Sequence, residues 1–221
     1  SNSVQGITGA EDPLTATVGA QIPSPPGNVI SYGGGAMTPN GQRVYVAHIS
    51  NSVCVLDTTG PVPTWIDVDT SDPDIDCIPV VWGPVFVAAT PDGRFIFVSN
   101  YDSDDVWIIA DANVLDGVLG NEVVQVIGLD HPGFCGPGGL RASPDGERVY
   151  VTCNSTHDVA VIDLVHVNAA PGNYATLADF VSVVGPFPPS GTQGACPWDV
   201  AVTADGAYAV VANYCSDNVS F

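Results

Sequence analysis

The sequence predicts an all-β fold: a β-propeller made of blade-like repeats of four antiparallel strands. Three observations carry this prediction. One turn recurs four times, as Thr38-Pro39-Asn40-Gly41, Thr90-Pro91-Asp92-Gly93, Ser143-Pro144-Asp145-Gly146 and Thr203-Ala204-Asp205-Gly206. Each copy is followed by an apolar run ("RVYVAH", "FIFVSN", "RVYVTC", "AYAVVAN") and then by a second alternating run ("SVCVLD", "DVWIIAD", "DVAVIDL", "NVSF"). The copies recur every roughly 50–60 residues, and no amphipathic helix of useful length intervenes, so the repeat unit is built of strands.

The elements follow in order. In the turn, Pro suits the first central position, Asp or Asn bonds local backbone, and Gly takes a positive φ. Three of the four arginines, Arg43, Arg94 and Arg148, come just after the turn glycine. Their expected role is to pair with the turn carboxylate. Strand two is rich in Val, Tyr, Phe and Thr, which suit a half-buried pleated surface. Asp57, Asp111 and Asp163 close strand three. "TWIDVD", "EVVQVIG", "DFVSVVG" and the N-terminal "LTATVGA" read as fourth strands. This frame makes residues 1–221 one propeller domain or segment. Its units run approximately over 1–30 (partial), 31–80, 81–135, 136–195 and 196–221 (partial). The expected core is Val44, Val46, Val53, Val55, Phe95, Phe97, Val106, Ile108, Val149, Val151, Val159, Val161, Val210 and Val219. Trp82 and Trp198, just before strand one, are expected to pack between blades and not to bind ligand.

The second strand resembles the YVTN-type β-propeller repeat of bacterial and archaeal secreted and surface proteins. The matching residues are Tyr45-Val46-Ala47-His48, Phe97-Val98-Ser99-Asn100, Tyr150-Val151-Thr152-Cys153 and Val210-Val211-Ala212-Asn213. His48 and Cys153 stand where the repeat has Asn. The resemblance implies a propeller that serves as a surface-layer domain, a lactonase-like protein or a subunit of a redox enzyme.

Asp and Glu number 24 against four Arg and no Lys, a formal charge of −20. Such a chain repels phosphate backbones and anionic bilayers, so nucleic acid is not an expected partner. The missing lysine excludes Schiff-base chemistry and a P-loop. No run reaches the roughly 18 apolar residues of a membrane span. Carboxylates are ligands for Ca²⁺, and the densest acidic stretch, with Asp67, Asp69, Asp72, Asp74 and Asp76, is the candidate Ca²⁺ site, although it does not fit an EF-hand. "NYDSDD", Asn100 to Asp105, is a second acidic loop. Asn154-Ser155-Thr156 is a glycosylation sequon, with Asn154 the acceptor.

Six cysteines without a C-x-x-C pattern suggest three disulfides and a location outside the cytosol: extracellular, cell-surface or periplasmic. Cys135 lies before the first strand of its unit and Cys153 ends the second. Cys196 and Cys215 repeat that arrangement. Since the two strands are antiparallel neighbours, the pairs are Cys135–Cys153 and Cys196–Cys215, leaving Cys54–Cys77.

The sequence lacks G-x-S-x-G, H-E-x-x-H and G-x-G-x-x-G signatures. On this ground the first functional reading is a non-catalytic structural, adhesive or protein-interaction module. The alternatives are a lactonase-like hydrolase, for which His131, Arg141 and Asp199 are the best catalytic set, and a subunit of a periplasmic redox enzyme. The chain starts and stops at a third strand. The expected partner is therefore the rest of a longer chain, or a second copy exchanging strands.

Overall fold

The computed structural model describes residues 3–8, 17–23, 32–48, 50–71, 74–116, 122–130, 133–164, 171–183 and 196–221. β1 (Ser3–Thr8) and β2 (Thr17–Pro23) form a separate antiparallel pair. The next sheet has the order β3 (Tyr32–Met37), β4 (Arg43–His48), β5 (Ser52–Asp57) and β6 (Thr64–Ile66), with β7 (Ile78–Pro79) also pairing with β5. Then come β8 (Pro84–Ala89), β9 (Phe95–Asn100), β10 (Asp105–Ala110) and β11 (Val123–Gly128). The following sheet is β12 (Pro137–Ala142), β13 (Arg148–Cys153), β14 (Asp158–Leu164) and β15 (Ala175–Ser182). The last contains β16 (Pro197–Val202), β17 (Ala209–Asn213) and β18 (Asn218–Ser220). All pairs are antiparallel, and among the described residues the only helical turn is the 3-10 segment Asp111–Asn113.

The first strands β3, β8, β12 and β16 touch in succession, so the sheets stand side by side like blades with these strands innermost. Packing of sheet on sheet buries both faces. All six residues of β9 are buried, as are the first five of β5. The core therefore includes Tyr45, Ala47, Ile96, Val98 and Ile109, which strict alternation assigned to an outer face. Val44, Val161 and Val210 are half-buried, and Val219 is 55% exposed because no sheet covers the face of β18 among the described residues. Trp82, expected between blades, is 69% exposed in the loop leading to β8.

The recurrent turn is locked by its own side chains. The hydroxyls of Thr38, Thr90, Ser143 and Thr203 donate to Asn40, Asp92, Asp145 and Asp205 at 2.5–2.7 Å. The same acceptor oxygens take the backbone N–H two residues on, and each Thr or Ser oxygen accepts the N–H that opens strand two. The turn glycines Gly41, Gly93, Gly146 and Gly206 all have φ between 70° and 74°. Arginine is mostly not the partner. Arg43 pairs with Asp111 of the next sheet at 2.5 Å and Arg148 with Asp163 at 3.1 Å; only Arg94 reaches its turn carboxylate, at 3.8 Å. A long side chain leaving strand two is better placed to meet the end of strand three than to fold back on the turn.

The hydroxyl and then the backbone donors hold the Asp145 and Asp205 carboxyls below the ordinary range. A depressed folded-state pKa stabilises the fold above the unfolded value, near 4, and that contribution is lost as pH falls through the folded value. Urea midpoints of Asp145→Asn and the unaltered protein are expected to differ at pH 6 and to converge below about pH 3. A gap that stays constant with pH would show the carboxylate is not the lock.

The three disulfides pair Cys54–Cys77, Cys135–Cys153 and Cys196–Cys215, with sequence separations of 23, 18 and 19. No helix among the described residues is long and apolar enough to cross a membrane.

Candidate functional site on the inner strands

The inner strands are held at their starting ends by a repeated contact between sheets. The turn joining strands two and three places a non-glycine residue in the left-handed region: Asn51 (φ 66°), Asp104 (59°), His157 (64°) and Asp217 (50°). Asn, Asp and His tolerate that conformation better than most residues. The side chains of the first three accept N–H groups from the segment entering the next inner strand. Gly83 donates to Asn51 Oδ1 at 3.3 Å, Cys135 and Gly136 to Asp104 at 3.2 and 3.0 Å, and Cys196 to His157 Nδ1 at 3.0 Å. The carbonyls of Gly83, Gly136 and Cys196 accept from Tyr101, Asn154 and Tyr214 of their own sheets. His157 is thus committed to joining two sheets. His48 is buried at the end of β4, and its Nδ1 accepts Ser50 N–H at 3.4 Å. The Asn of the "FVSN" stretch is structural as well, since Asn100 Nδ2 donates to Asp105 Oδ1 at 2.9 Å across the turn.

Each inner strand carries a register shift near its start, between Tyr32/Gly35, Pro84/Phe86, Pro137/Leu140 and Pro197/Asp199. At that level the residues alternate from sheet to sheet: Gly33-Gly34, Val85-Phe86, Gly138-Gly139, Trp198-Asp199. The alternation is steric. A Cβ on Gly33 would lie 2.2 Å from Val85 O, and one on Gly139 would lie 2.3 Å from Asp199 Oδ1 and 2.6 Å from Asp199 Cα. Bulges of this kind re-aim side chains and recur next to active sites.

The structure brings two members of the expected catalytic set to one face. The Cβ direction of Gly139 points at Asp199, and Arg141 is two residues further along β12, hence on the same side, about 6.6 Å along the strand. Leu140 between them points the other way into the core. Asp199 Oδ1 accepts the Val200 N–H at 2.8 Å. Arg141 is exposed and, unlike the other three arginines, has no carboxylate partner among the described residues. His131 lies outside the described residues, as does His166.

Two further features went unread in the sequence. Trp198 meets Phe86 edge to face at 6.1 Å across the Gly138–Gly139 gap and stays 40% exposed. With Gly83, Val85, Tyr101 and Asp102 it lines a cleft of about 470 Å³. Sequence spacing could not find this set, because it joins three segments far apart in the chain. A more apolar groove, lined by residues such as Val159, Val181, Val211 and Phe221, lies between the last two sheets, and its described lining holds tyrosine and serine hydroxyls but no carboxylate, imidazole or guanidinium.

The acidic stretch lies partly outside the described residues. Asp67 and Asp69 lie past the short β6, in a loop and not in a strand. Asp67 Oδ1 accepts the N–H groups of Asp69 and Asp76, and Asp69 Oδ1 that of Ser71. These oxygens close turns. Asp74 and Asp76 are described, whereas Asp72 lies outside the described residues, and among those described no group of three His, Cys, Asp or Glu could hold a metal ion. Asn154 sits in the turn after β13, with its Nδ2 3.5 Å from Pro197 O.

No protein-family model matches the sequence, and no curated protein matches it. Solved structures do. The periplasmic gluconolactonase of Pseudomonas aeruginosa superposes over 98% of this chain and 57% of its own, at 19% identity and a TM-score of 0.67. A Bacteroides fragilis protein provisionally assigned as a 6-phosphogluconolactonase matches over 98% and 58%, at 18% identity and 0.66. A Lactobacillus plantarum protein matches over 98% and 59%, at 18% identity and 0.69. The chain therefore spans less than two thirds of the length of these structures. The expectation of a non-catalytic adhesive module is corrected here, because the lactonase-type propellers among these neighbours favour its alternative. The fold they share with this chain is the β-propeller.

Proposed function

We propose that this chain carries part of the active face of a lactonase-like hydrolase built on YVTN-type repeats. The observation that carries the reading is Arg141: an exposed guanidinium with no carboxylate partner among the described residues, on the same inter-sheet face as the Asp199 carboxylate, in a chain of charge −20. Lactone hydrolysis needs a base to deprotonate water and a positive group for the oxyanion. Asp199 takes the proton of the attacking water. Arg141 holds the negative oxygen of the tetrahedral intermediate. The ring C–O bond then breaks, the ring oxygen takes up a proton, and an open hydroxy acid leaves. His131 is the proposed donor of that proton. The three disulfides support an oxidising location, extracellular or periplasmic.

The test is acid release from D-glucono-δ-lactone in a pH-stat, corrected for spontaneous hydrolysis. Arg141→Ala is expected to lower kcat/KM by about 100-fold or more, and Asp199→Asn by a similar factor. No rate above the spontaneous one, on this and other aldonolactones, would sink the reading.

A further inference from the structure

The cleft at Trp198 joins residues that are neighbours neither in sequence nor in strand order. Gly83 and Val85 open β8, Tyr101 and Asp102 follow β9, and Trp198 belongs to β16. Because β12 runs between β8 and β16, a space lined by both lies on the axial side of β12. Glycines let the strands close up beside it. Any side chain at Gly138 would meet Thr152 Oγ1 at 2.8 Å and Trp198 O at 2.9 Å. At Gly83, with φ 76°, a Cβ would lie 2.8 Å from Asp102 Oδ2, so only glycine lets that carboxylate fold over the start of β8.

The volume, about 470 Å³, is that of a small-molecule site. Its chemistry is an indole, a phenol and one carboxylate, with no cation among the described lining residues. The negative face of an aromatic ring attracts the C–H face of a saturated ring, whose hydrogens are weakly positive. A carboxylate accepts hydrogen bonds from two hydroxyls and repels phosphate. Depth along β12 orders the groups: Gly138 beside Trp198, then Gly139 beside Asp199, then Arg141. A lactone whose carbonyl sits at Asp199 and Arg141 therefore extends its far end toward Trp198 and Asp102.

We infer that this cleft binds the hydroxylated tail of a neutral sugar lactone, stacked on Trp198 and hydrogen-bonded to Asp102, and that Asp102 turns away lactones phosphorylated at that tail. The inference rests on the lactone-hydrolase reading and names its substrate class. The acid product, an anion, is repelled by the same carboxylate and by the chain as a whole, which favours release.

Binding and turnover separate the two claims. D-Glucono-δ-lactam, which is not hydrolysed, is titrated while indole N–H resonances are followed. The resonance lost in Trp198→Phe is expected to shift. Its Kd should rise at least tenfold in Asp102→Ala and in Trp198→Phe, with Trp82→Phe unchanged as the control. The lactam 6-phosphate should bind at least tenfold more weakly than the lactam, and Asp102→Asn should narrow that ratio. Equal or tighter binding of the phosphate, or unaltered Kd in Asp102→Ala, overturns the inference. If glucono-δ-lactone is turned over while both cleft variants keep the parent KM, the cleft assignment alone fails. If the lactam binds at Trp198 but no lactone is hydrolysed, the hydrolase reading fails and the inference resting on it falls as well.

Discussion

Gly139→Ala is expected to lower stability by about 2–3 kcal/mol, a drop in Tm of about 5–10 °C for a chain of this size. One added methyl suffices because its neighbours cannot yield. It would stand 2.3 Å from Asp199 Oδ1, 2.6 Å from Asp199 Cα and 2.9 Å from Trp198 O. The first of these is a side-chain atom that can rotate away. The other two are backbone of the neighbouring inner strand, held by β17 and by the Cys196 N–H bond to His157. Relief requires β12 and β16 to separate, which breaks the packing of Val200 and Val211 against Val159. Gly60→Ala is the control: its Cβ would meet only Val62 O at 3.6 Å, an ordinary contact, and the expected change is within about 0.5 kcal/mol. Thermal melts followed by far-UV circular dichroism decide the matter. Equal midpoints for the two variants would mean the inner strands are not in close contact in solution.

Loss of the Cys135–Cys153 bridge is expected to cost about 3 kcal/mol, because it frees a loop of 18 residues in the unfolded chain. The double variant Cys135→Ala/Cys153→Ala should melt about 6–12 °C lower. Both sulfurs are fully buried, with Cys135 packed in the same core cluster as Leu140 and Val151, so the cavity left by the sulfurs adds to the loss. Burial also sets an order of reduction. Cys215 is exposed and Cys196 half-buried, so their bridge is open to an attacking thiolate, while Cys135–Cys153 is screened. Under graded dithiothreitol, alkylation and peptide mass mapping should find Cys196 and Cys215 labelled first and Cys135 and Cys153 last. Labelling of Cys135 ahead of Cys215 would contradict this packing.

Much of this architecture was written in the linear order of residues. The four Thr/Ser-x-Asp/Asn-Gly turns and the strands that flank them are local: hydrogen bonds spanning two to five residues and one positive φ at glycine decide them. Two of the disulfide pairs followed from the same frame, because antiparallel neighbours must bring the start of strand one to the end of strand two, and Cys54–Cys77 followed by elimination. Strand propensity was less dependable at the edges. "TWIDVD" keeps only Thr64–Ile66 as strand, since the Asp67 carboxylate takes up the backbone N–H groups of Asp69 and Asp76 that a longer strand would have offered to a partner.

What the sequence determined by itself was therefore whatever depends on a few consecutive residues or on the repeat frame: the all-β class, the turns, two of the three bridges, and the one arginine of four that does not follow a turn glycine. The tertiary structure alone decided the rest. That both faces of β9 are buried, that Gly138 and Gly139 face Trp198 and Asp199, that Arg43 finds Asp111 and not its turn, and that Trp198 lines one cleft with Tyr101 and Asp102 all follow from one sheet lying against the next. Contacts of that kind join residues tens of positions apart, and their geometry is fixed by how closely the inner strands approach. Steric exclusion at two glycines sets that distance, and no local propensity encodes it.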